Sequence, residues 1–412
     1  MKVLIVSQYF WPENFRINDL ALALKDKGHE VTVLTGMPNY PKGKLYDGYN
    51  WWDKRRDVME GVPIVRVPLF TRRKSKSWQL ALNYISFALS GCLFGSWLLR
   101  KQKFDIVFTY EVSPVTVGIP AILMRKIKRA PMLFWVQDLW PETLSATGAI
   151  QSESILSAVR YLVKKIYHSC DSILVQSKGF IEPALQSGAD KQKVQYYPNW
   201  AESLYKPVTL TGDAIERSEV PTMGFVAMFA GNLGGAQSLE TIIKAADLLK
   251  DKNIHWVFLG DGRRRAWLEA EVNRLQLQHV YILGSRPMET MPNYFSLADA
   301  MLVTLKDDPV MANTIPGKVQ SYLACGRPVV GALNGSGAEV ILDSKAGYCV
   351  PADDYKGFAE AVLKVVNASL DERHSMSVSA LSYYQSNFDR EMLISKLDDL
   401  MTSMIMNGNK QL

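Results

Sequence analysis

Short apolar runs alternate with helix-length amphipathic segments along most of this chain, and few folds tolerate that alternation. Val3–Ser7, Val31–Thr35, Asp105–Tyr110, Met132–Gln137 and Ser172–Gln176 read as buried strands, because they are short, continuous and rich in β-branched or aromatic residues. Helical periodicity fills the gaps, as in Asn18–Lys27, which stops at Gly28, and Ile155–His168. Strand, helix and strand in succession predict a parallel sheet with crossover helices. A polar stretch, Thr209–Pro221, interrupts the pattern and reads as a linker. The pattern then restarts with strands at Gly224–Gly231, His255–Gly260 and Val280–Gly284, separated by helices at Ser238–Leu249 and Arg264–Leu275. A chain of 412 residues exceeds one ordinary core. The expectation is therefore α/β: two Rossmann-like doubly wound domains, 1–205 and 206–387, facing each other across a cleft, followed by a last helix within 388–412.

Charge is divided unevenly between the halves. Residues 1–200 hold 27 Lys/Arg against 16 Asp/Glu, a balance of +11, and residues 201–412 hold 20 against 25, a balance of −5, which together give the net +6. A basic first half suits nucleic acid, anionic lipid or a phosphorylated substrate. No nucleic-acid-binding motif is present, so lipid or diphosphate is expected and nucleic acid is not. The four cysteines, Cys92, Cys170, Cys325 and Cys349, are far apart and have no metal-ligand spacing, and the five histidines are scattered. No metal and no cofactor is expected. Asp307-Asp308 lacks partners and reads as a solvated loop. The start, MKVLIVSQYFWPEN, reads as a strand and a loop without a secretory apolar core, so the expected location is cytoplasmic with reduced thiols.

Several segments carry chemistry. In Asn313–Gly331, Pro316-Gly317-Lys318 opens a helix and Gly326 ends it, ahead of the strand at Val329-Val330. A helix start with free N–H groups and a lysine is a natural phosphate seat. The turn Gly231-Asn-Leu-Gly-Gly-Ala-Gln237 between a strand and a helix lets backbone approach a phosphate, although a plain tight turn gives the same pattern. Trp135-Val-Gln-Asp-Leu-Trp-Pro-Glu142 sets Gln137 and Asp138 at a strand end, where Asp138 can act as base, orienter or anchor for a transferred group, or simply cap the following segment. Glu111 ends another strand.

These segments resemble the signatures of glycosyltransferase family 4, a large family with the GT-B fold that uses nucleotide sugars. The resemblance runs from Lys2 to the last helix and is most specific at Gln137–Glu142, Gly231–Ala246, Gly260–Leu268 and Ile315–Val330. It implies a metal-independent enzyme whose second domain binds the nucleotide sugar, whose first domain faces the acceptor, and whose last helix folds back on the first domain. The family's diphosphate-clasping Arg and Lys fall on Asn232 and Gln237, and its paired glutamates fall on Asn313 and Ser321. Lys318 is then the cation for the diphosphate. Gly262 and Arg265 match the turn and helix of the family's Gly-Asp-Gly segment, Arg286 the segment around the base, and Gln137 replaces a frequent His. Glu13, Asn14 and Arg16 stand where relatives carry Gly-Gly, in a loop facing the acceptor and the diphosphate. The nearest subgroup in kind transfers N-acetyl-L-fucosamine, or a related deoxyamino sugar, from a UDP-linked donor to a polyprenyl-diphosphate-linked sugar in O-antigen or capsule synthesis. The alternatives are a UDP-sugar 2-epimerase on the same fold, against which the loss of acidic residues at Asn313 and Ser321 counts, and a two-lobed sugar-binding protein.

Trp78–Leu99 carries no charge over 22 positions and is flanked by Arg72, Arg73, Lys74 and Lys76 on one side and Arg100, Lys101 and Lys103 on the other. Its length permits a membrane span. A polar stripe, Gln79, Asn83, Ser86 and Ser90, basic flanks at both ends and a position between strands of one domain favour an interfacial helix on the inner membrane surface instead, with a soluble core helix as the alternative. Arg125-Lys-Ile-Lys-Arg129 adds attraction to anionic lipid.

Overall fold

A computed structural model describes residues 1–51, 53–73, 76–146 and 152–408; Lys74, counted above among the flanking charges, lies outside them. The chain divides into two compact units, Met1–Tyr197 with Glu391–Leu412, and Pro198–Arg390. The division thus falls several residues before the expected 205/206, because Trp200 and Ala201 are already buried and Ala201 belongs to the second core.

In the first unit the sheet runs β3-β4-β2-β1-β5-β6-β7-β8. The strands are β1 (Lys2–Val6), β2 (Glu30–Gly36), β3 (Arg56–Met59), β4 (Val62–Val67), β5 (Ile106–Glu111), β6 (Met132–Val136), β7 (Ser172–Val175) and β8 (Val194–Tyr196). All neighbours are parallel except the β3–β4 hairpin, which sequence reasoning left out. The central strand β1 pairs with β2 on one side and β5 on the other. Connections leave in opposite directions there, so the loops after β1 and β5 part and open a crevice at the carboxyl edge. The last helix, Arg390–Gly408, buries Leu393, Ile394, Leu397 and Met401. It is held by the Tyr197 hydroxyl donating to the Leu393 carbonyl at 2.9 Å and by His29 Nε2 at 2.8 Å from Asp398 Oδ1.

Between β4 and β5 comes a helix of unusual polarity. Ser77–Ser90 is α-helical, passes through a π-turn at Gly91–Gly95 and ends at Ser96–Leu98. A Cβ on Gly91 would stand 3.0 Å from Pro120, so only glycine lets this helix lie so close to its neighbour. Its polar stripe faces inward. Asn83 is fully buried, donates to the Phe70 carbonyl at 2.6 Å and accepts from Gln8 Nε2 at 2.7 Å, while Ser86 Oγ accepts from the Phe70 amide at 2.8 Å. Trp78, Leu82, Ile85, Leu89, Leu93 and Trp97, spaced by three or four residues, face outward and are 43–69% exposed. The stretch Ser77–Leu98 is long and apolar enough to cross a membrane, with a mean hydropathy of 1.2, and its inward face is tied to the sheet by these bonds.

The second unit carries a wholly parallel sheet, β11-β10-β9-β12-β13-β14. Its strands are β9 (Phe225–Ala230), β10 (Ile254–Leu259), β11 (Val280–Gly284), β12 (Ala300–Thr304), β13 (Val329–Ala332) and β14 (Gly347–Val350). Alternate residues of β9 feed two separate cores. Val226 and Met228 join Val319, Tyr322 and Ala380, while Ala227 and Phe229 join Leu239, Ile242 and Phe358 on the other face. The switch point lies between β9 and β12.

At that switch point the turns after β9 and β10 touch. Gly260 has φ +135°, and a Cβ there would come within 1.9 Å of the Gly231 carbonyl oxygen. Gly260→Ala is expected to cost about 2–4 kcal/mol, combining overpacking with a disfavoured backbone conformation. Urea unfolding measures this, and a variant as stable as the parent would show that the two turns need not be so close.

Candidate active site

The second unit gathers an anion-binding set at its switch point. After β9 the chain makes the glycine-rich turn, with Gly231 at φ +138°. The helix Gly317–Ala324 begins beside it, with Pro316 at its N-cap. Its first amides lie outside the helical hydrogen-bond ladder, and Lys318 reaches back over the turn. The Lys318 ammonium donates to Gln237 Oε1 at 2.6 Å and sits 3.7 Å from the centre of the Phe229 ring. A Cβ on Gly231 would stand 3.4 Å from that ammonium. The residue keeps some surface, but its charge has no carboxylate partner among the described residues, and burial lowers its pKa to about 7. The turn is fastened from behind: Thr304 Oγ1 donates to the Gln237 carbonyl and the Lys306 amide to the Ala236 carbonyl at 3.0 Å. Tyr322, on the same helix as Lys318, accepts from the Ala230 amide at 3.0 Å and donates to the Ala230 carbonyl at 2.9 Å. One helix thus fixes both the strand end and the cation.

The other donor-side residues divide by their partners. Asn232 is exposed and folds over its own turn, where Cβ atoms on Gly234 and Gly262 would each meet its amide group. Asn313 caps the end of the short helix Pro309–Ala312, which Asp308 begins by accepting from the Val310 and Met311 amides. Ser321 is buried and points its hydroxyl back to the Gly317 carbonyl at 3.4 Å. Arg265 pairs with Glu269 at 2.8 Å and Asp261 at 3.5 Å. Arg286 is held by Glu219, Tyr294 and the Leu283 carbonyl. Both guanidiniums are therefore committed to carboxylates, whereas Lys318 has only the neutral Gln237 and the Phe229 ring among the described residues.

In the first unit the carboxyl edge presents two carboxylates. Glu111 ends β5 and is buried to 1% exposure. Its carboxyl faces the amides of Asp138, Gln137 and Ser113, with Asp138 N 3.5 Å from Oε2. Burial, reinforced by the neighbouring Asp138, pushes the Glu111 pKa well up. Burial alone pushes Asp138 up to about 7. Asp138 keeps partial exposure and Glu111 has almost none, so of the two Asp138 is the carboxyl open to exchange with a substrate. The helix that follows begins at Glu142, too far along for Asp138 to be its N-cap. Gln137, 9% exposed, donates its amide to the Glu111 carbonyl at 2.8 Å.

The loop after β1 serves a different purpose. Glu13 is 1% exposed and accepts from the amides of Asn39 at 2.7 Å, Tyr40 at 2.6 Å and Phe10 at 3.3 Å. Burial raises its pKa to about 7 despite those bonds. It staples two loops together, while Asn14 lies exposed beside it and Arg16 opens the helix Arg16–Asp26.

Sequence reasoning missed Arg72 as a site residue. Its guanidinium lies beside the paired rings of Tyr40, at 5.1 Å, and Tyr9, at 5.9 Å. The Tyr84 phenol faces both Arg72 and Ser113 and shares its surroundings with Asp138. Tyr84 in turn packs edge-on against Trp140 at 6.0 Å. These residues are spread from Tyr9 to Trp140, so no spacing signals the cluster. Only the sheet, which brings the ends of β1, β2, β4, β5 and β6 to one edge, assembles it.

Two family models match the chain: a glycosyl transferase 4-like domain over residues 14–200 and glycosyl transferases group 1 over residues 224–368. An inferred colanic acid biosynthesis glycosyl transferase, WcaI of Escherichia coli K12, is 26% identical over 338 residues, covering 79% of this chain and 82% of the relative. Among solved structures, sucrose-phosphate synthase from Thermosynechococcus elongatus superposes with a TM-score of 0.74 at 16% identity, over 98% of this chain and 99% of its own. Anabaena HepE in complex with UDP superposes with a TM-score of 0.69 at 15% identity, over 98% and 100%. The fold is therefore GT-B, and with a glycosyl transferase 4-like domain followed by a glycosyl transferases group 1 domain, the chain is a glycosyltransferase of that type.

Proposed function

We propose that the second unit holds a UDP-linked sugar and that the first unit presents a polyprenyl-diphosphate-linked sugar as acceptor, in the synthesis of a cell-surface polysaccharide. The observation that carries this reading is Lys318, a desolvated ammonium set over a glycine-rich turn at a helix start, with no carboxylate partner among the described residues. A diphosphate supplies the missing negative charge, and stabilising the leaving diphosphate is the largest contribution such a site can make. Asp138, ionising near neutrality, faces the acceptor hydroxyl as base or orienter. N-acetyl-L-fucosamine, or a related deoxyamino sugar, is the proposed transferred group. The relative named for colanic acid synthesis supports a polysaccharide product, and the complex of HepE with UDP supports the nucleotide. The 2-epimerase alternative gains no support, since the matched relatives are named as glycosyl transferases. The enzyme works in the cytoplasm, attached to the inner membrane surface through the outward apolar stripe from Trp78 to Trp97. A helix that buries Asn83 and exposes two tryptophans and four aliphatic residues is built for a medium other than water. Transfer from candidate UDP-sugars, assayed with and without a polyprenyl-diphosphate sugar, tests the whole scheme; no transfer to any lipid-linked acceptor would overturn it.

Three outcomes are expected. Lys318→Ala should weaken UDP binding by roughly 1.5–3 kcal/mol, the range of a charge-assisted hydrogen bond. In the parent protein, UDP should bind with proton uptake above pH 7: the free lysine is largely neutral there and the diphosphate recharges it, so affinity falls as pH rises. Calorimetry in buffers of different ionisation enthalpy reads the proton directly, and pH-independent affinity would remove Lys318 from the site.

Asp138→Asn should fold normally and lose about 100-fold or more in turnover. The parent's turnover should rise through about pH 7 as Asp138 ionises, and the variant should lack that rise. The same ionisation should lower stability: a carboxyl with a raised folded pKa favours the folded state when protonated, so its contribution declines from about pH 4 to about pH 7. Wild-type turnover in a folded variant would assign Asp138 a structural role.

Sedimentation with anionic vesicles should be strong at low salt and partly reversed at high salt. Leu89→Glu with Leu93→Glu, both fully outward, should abolish it without unfolding the protein. Binding unaffected by the double change would place the membrane contact elsewhere.

A further inference from the structure

The outward stripe of the helix Ser77–Ser90 leads into a cavity of about 330 Å³ in the first unit, lined almost wholly by carbon. Ile85, a member of the stripe, forms its outer wall with Ala81. Trp140 and Leu144 come from the segment after β6, and Val159 from the helix Glu153–Ser169. Tyr84 closes the inner end, with its ring against Trp140 and its phenol facing Arg72 and Ser113. The cavity therefore connects a surface suited to lipid with the edge that carries Asp138, two residues before Trp140 in the chain.

Arg72 supplies the second half of the pattern. Its guanidinium sits beside the paired rings of Tyr9 and Tyr40, and its Nε is buried with no hydrogen-bond partner among the described residues. A buried donor without a partner is costly unless something supplies the acceptor. An apolar cavity that ends at Tyr84 and Ser113, with the Arg72 guanidinium and its spare donor behind Tyr84, has the polarity of a lipid diphosphate, tail toward the cavity and phosphate toward the arginine.

We propose that this cavity holds the first isoprene units of the acceptor's polyprenyl chain, with Arg72 on its diphosphate. The proposal rests on the reading that the first unit takes a lipid-linked acceptor. The occupant is the acceptor rather than a bilayer lipid because the cavity's inner end, Tyr84 and Ser113, adjoins Arg72 and the surroundings of Asp138, so a head group emerging there meets the groups proposed to take the acceptor sugar. The branched walls of Ile85, Leu144 and Val159 and the face of Trp140 suit a methyl-branched chain better than a straight one.

Farnesyl diphosphate, a short soluble polyprenyl diphosphate, serves as the probe, with UDP at saturation so that the donor site is blocked. Calorimetry should show farnesyl diphosphate binding at least tenfold more tightly than inorganic diphosphate. Dodecyl diphosphate, with a straight chain, should bind more weakly than farnesyl diphosphate. Ala81→Trp adds bulk from an exposed wall position and should remove the farnesyl preference while leaving UDP affinity unchanged. Arg72→Gln should weaken both the farnesyl and the inorganic diphosphate. Equal binding of farnesyl and inorganic diphosphate by the parent protein would overturn the proposal, whether or not the Ala81 variant folds. Equal binding of the straight chain would hand the cavity to a bilayer lipid and overturn it as well. A protein that binds UDP yet shows no farnesyl preference leaves the transferase reading standing; a protein that fails to bind UDP removes that reading instead.

Discussion

A parallel strand that ends at the edge of its sheet leaves its last backbone groups without ladder partners, and in a closely packed domain each must be satisfied some other way. Both units are organised around that requirement. In the second, Tyr322 closes the end of β9 by bonding both the amide and the carbonyl of Ala230, and the turns after β9 and β10 meet at Gly260 and Gly231. In the first, carboxylates do the same work. Glu13 takes three amides from the loops after β1 and β2, and Glu111 faces those of the segment after β6. Lys318, Asp138 and Arg72, the groups proposed to act on substrate, are not among those that close the strand ends.

The contrast between Glu13 and Asp138 shows why an elevated pKa is not by itself a mark of chemistry. Both are raised to about 7, and in both burial is the first cause. Glu13 is nonetheless engaged by three backbone donors and is almost wholly enclosed, so a proton can come or go only by opening the loops it joins. Asp138 keeps part of its surface and draws its shift from burial, beside the more deeply buried carboxyl of Glu111, which is also raised. Geometry and access separate a staple from a group able to exchange a proton with a substrate. The same test separates Lys318 from Arg265 and Arg286, which are neutralised by nearby glutamates and an aspartate.

Much of this was legible in the sequence, for a physical reason. Buried parallel strands are short, uniformly apolar runs, so β1, β2, β5, β6 and β7 were readable to within about a residue at each end. The β3–β4 hairpin was not, because Arg56–Met59 is a half-exposed edge strand with no apolar run. Lys318 was legible because Pro, Gly and Lys at a helix start have a local meaning. The fate of Arg286 was not, since the residue that immobilises it, Glu219, lies 67 positions away. The polar stripe of the helix Ser77–Ser90 was visible, but its direction was hidden. Its partners, Gln8 and the Phe70 carbonyl, belong to elements whose positions only the fold defines.

That direction changes the meaning of the first unit's positive charge. Several of its arginines sit over aromatic rings around the inverted helix: Arg73 over Phe70 at 5.0 Å, Arg55 over Phe94 at 5.3 Å and Arg100 over Trp97 at 4.5 Å. A guanidinium over an aromatic ring loses little of its charge while part of its surface stays in contact with carbon. Such pairs suit a boundary where hydrocarbon and phosphate meet. A nucleic-acid groove needs basic side chains tracking a backbone across a polar surface, and here the surface between the arginines is tryptophan, leucine and isoleucine. The sign of the charge excludes little; its placement on rings, beside a helix turned inside out, is what points to a lipid surface.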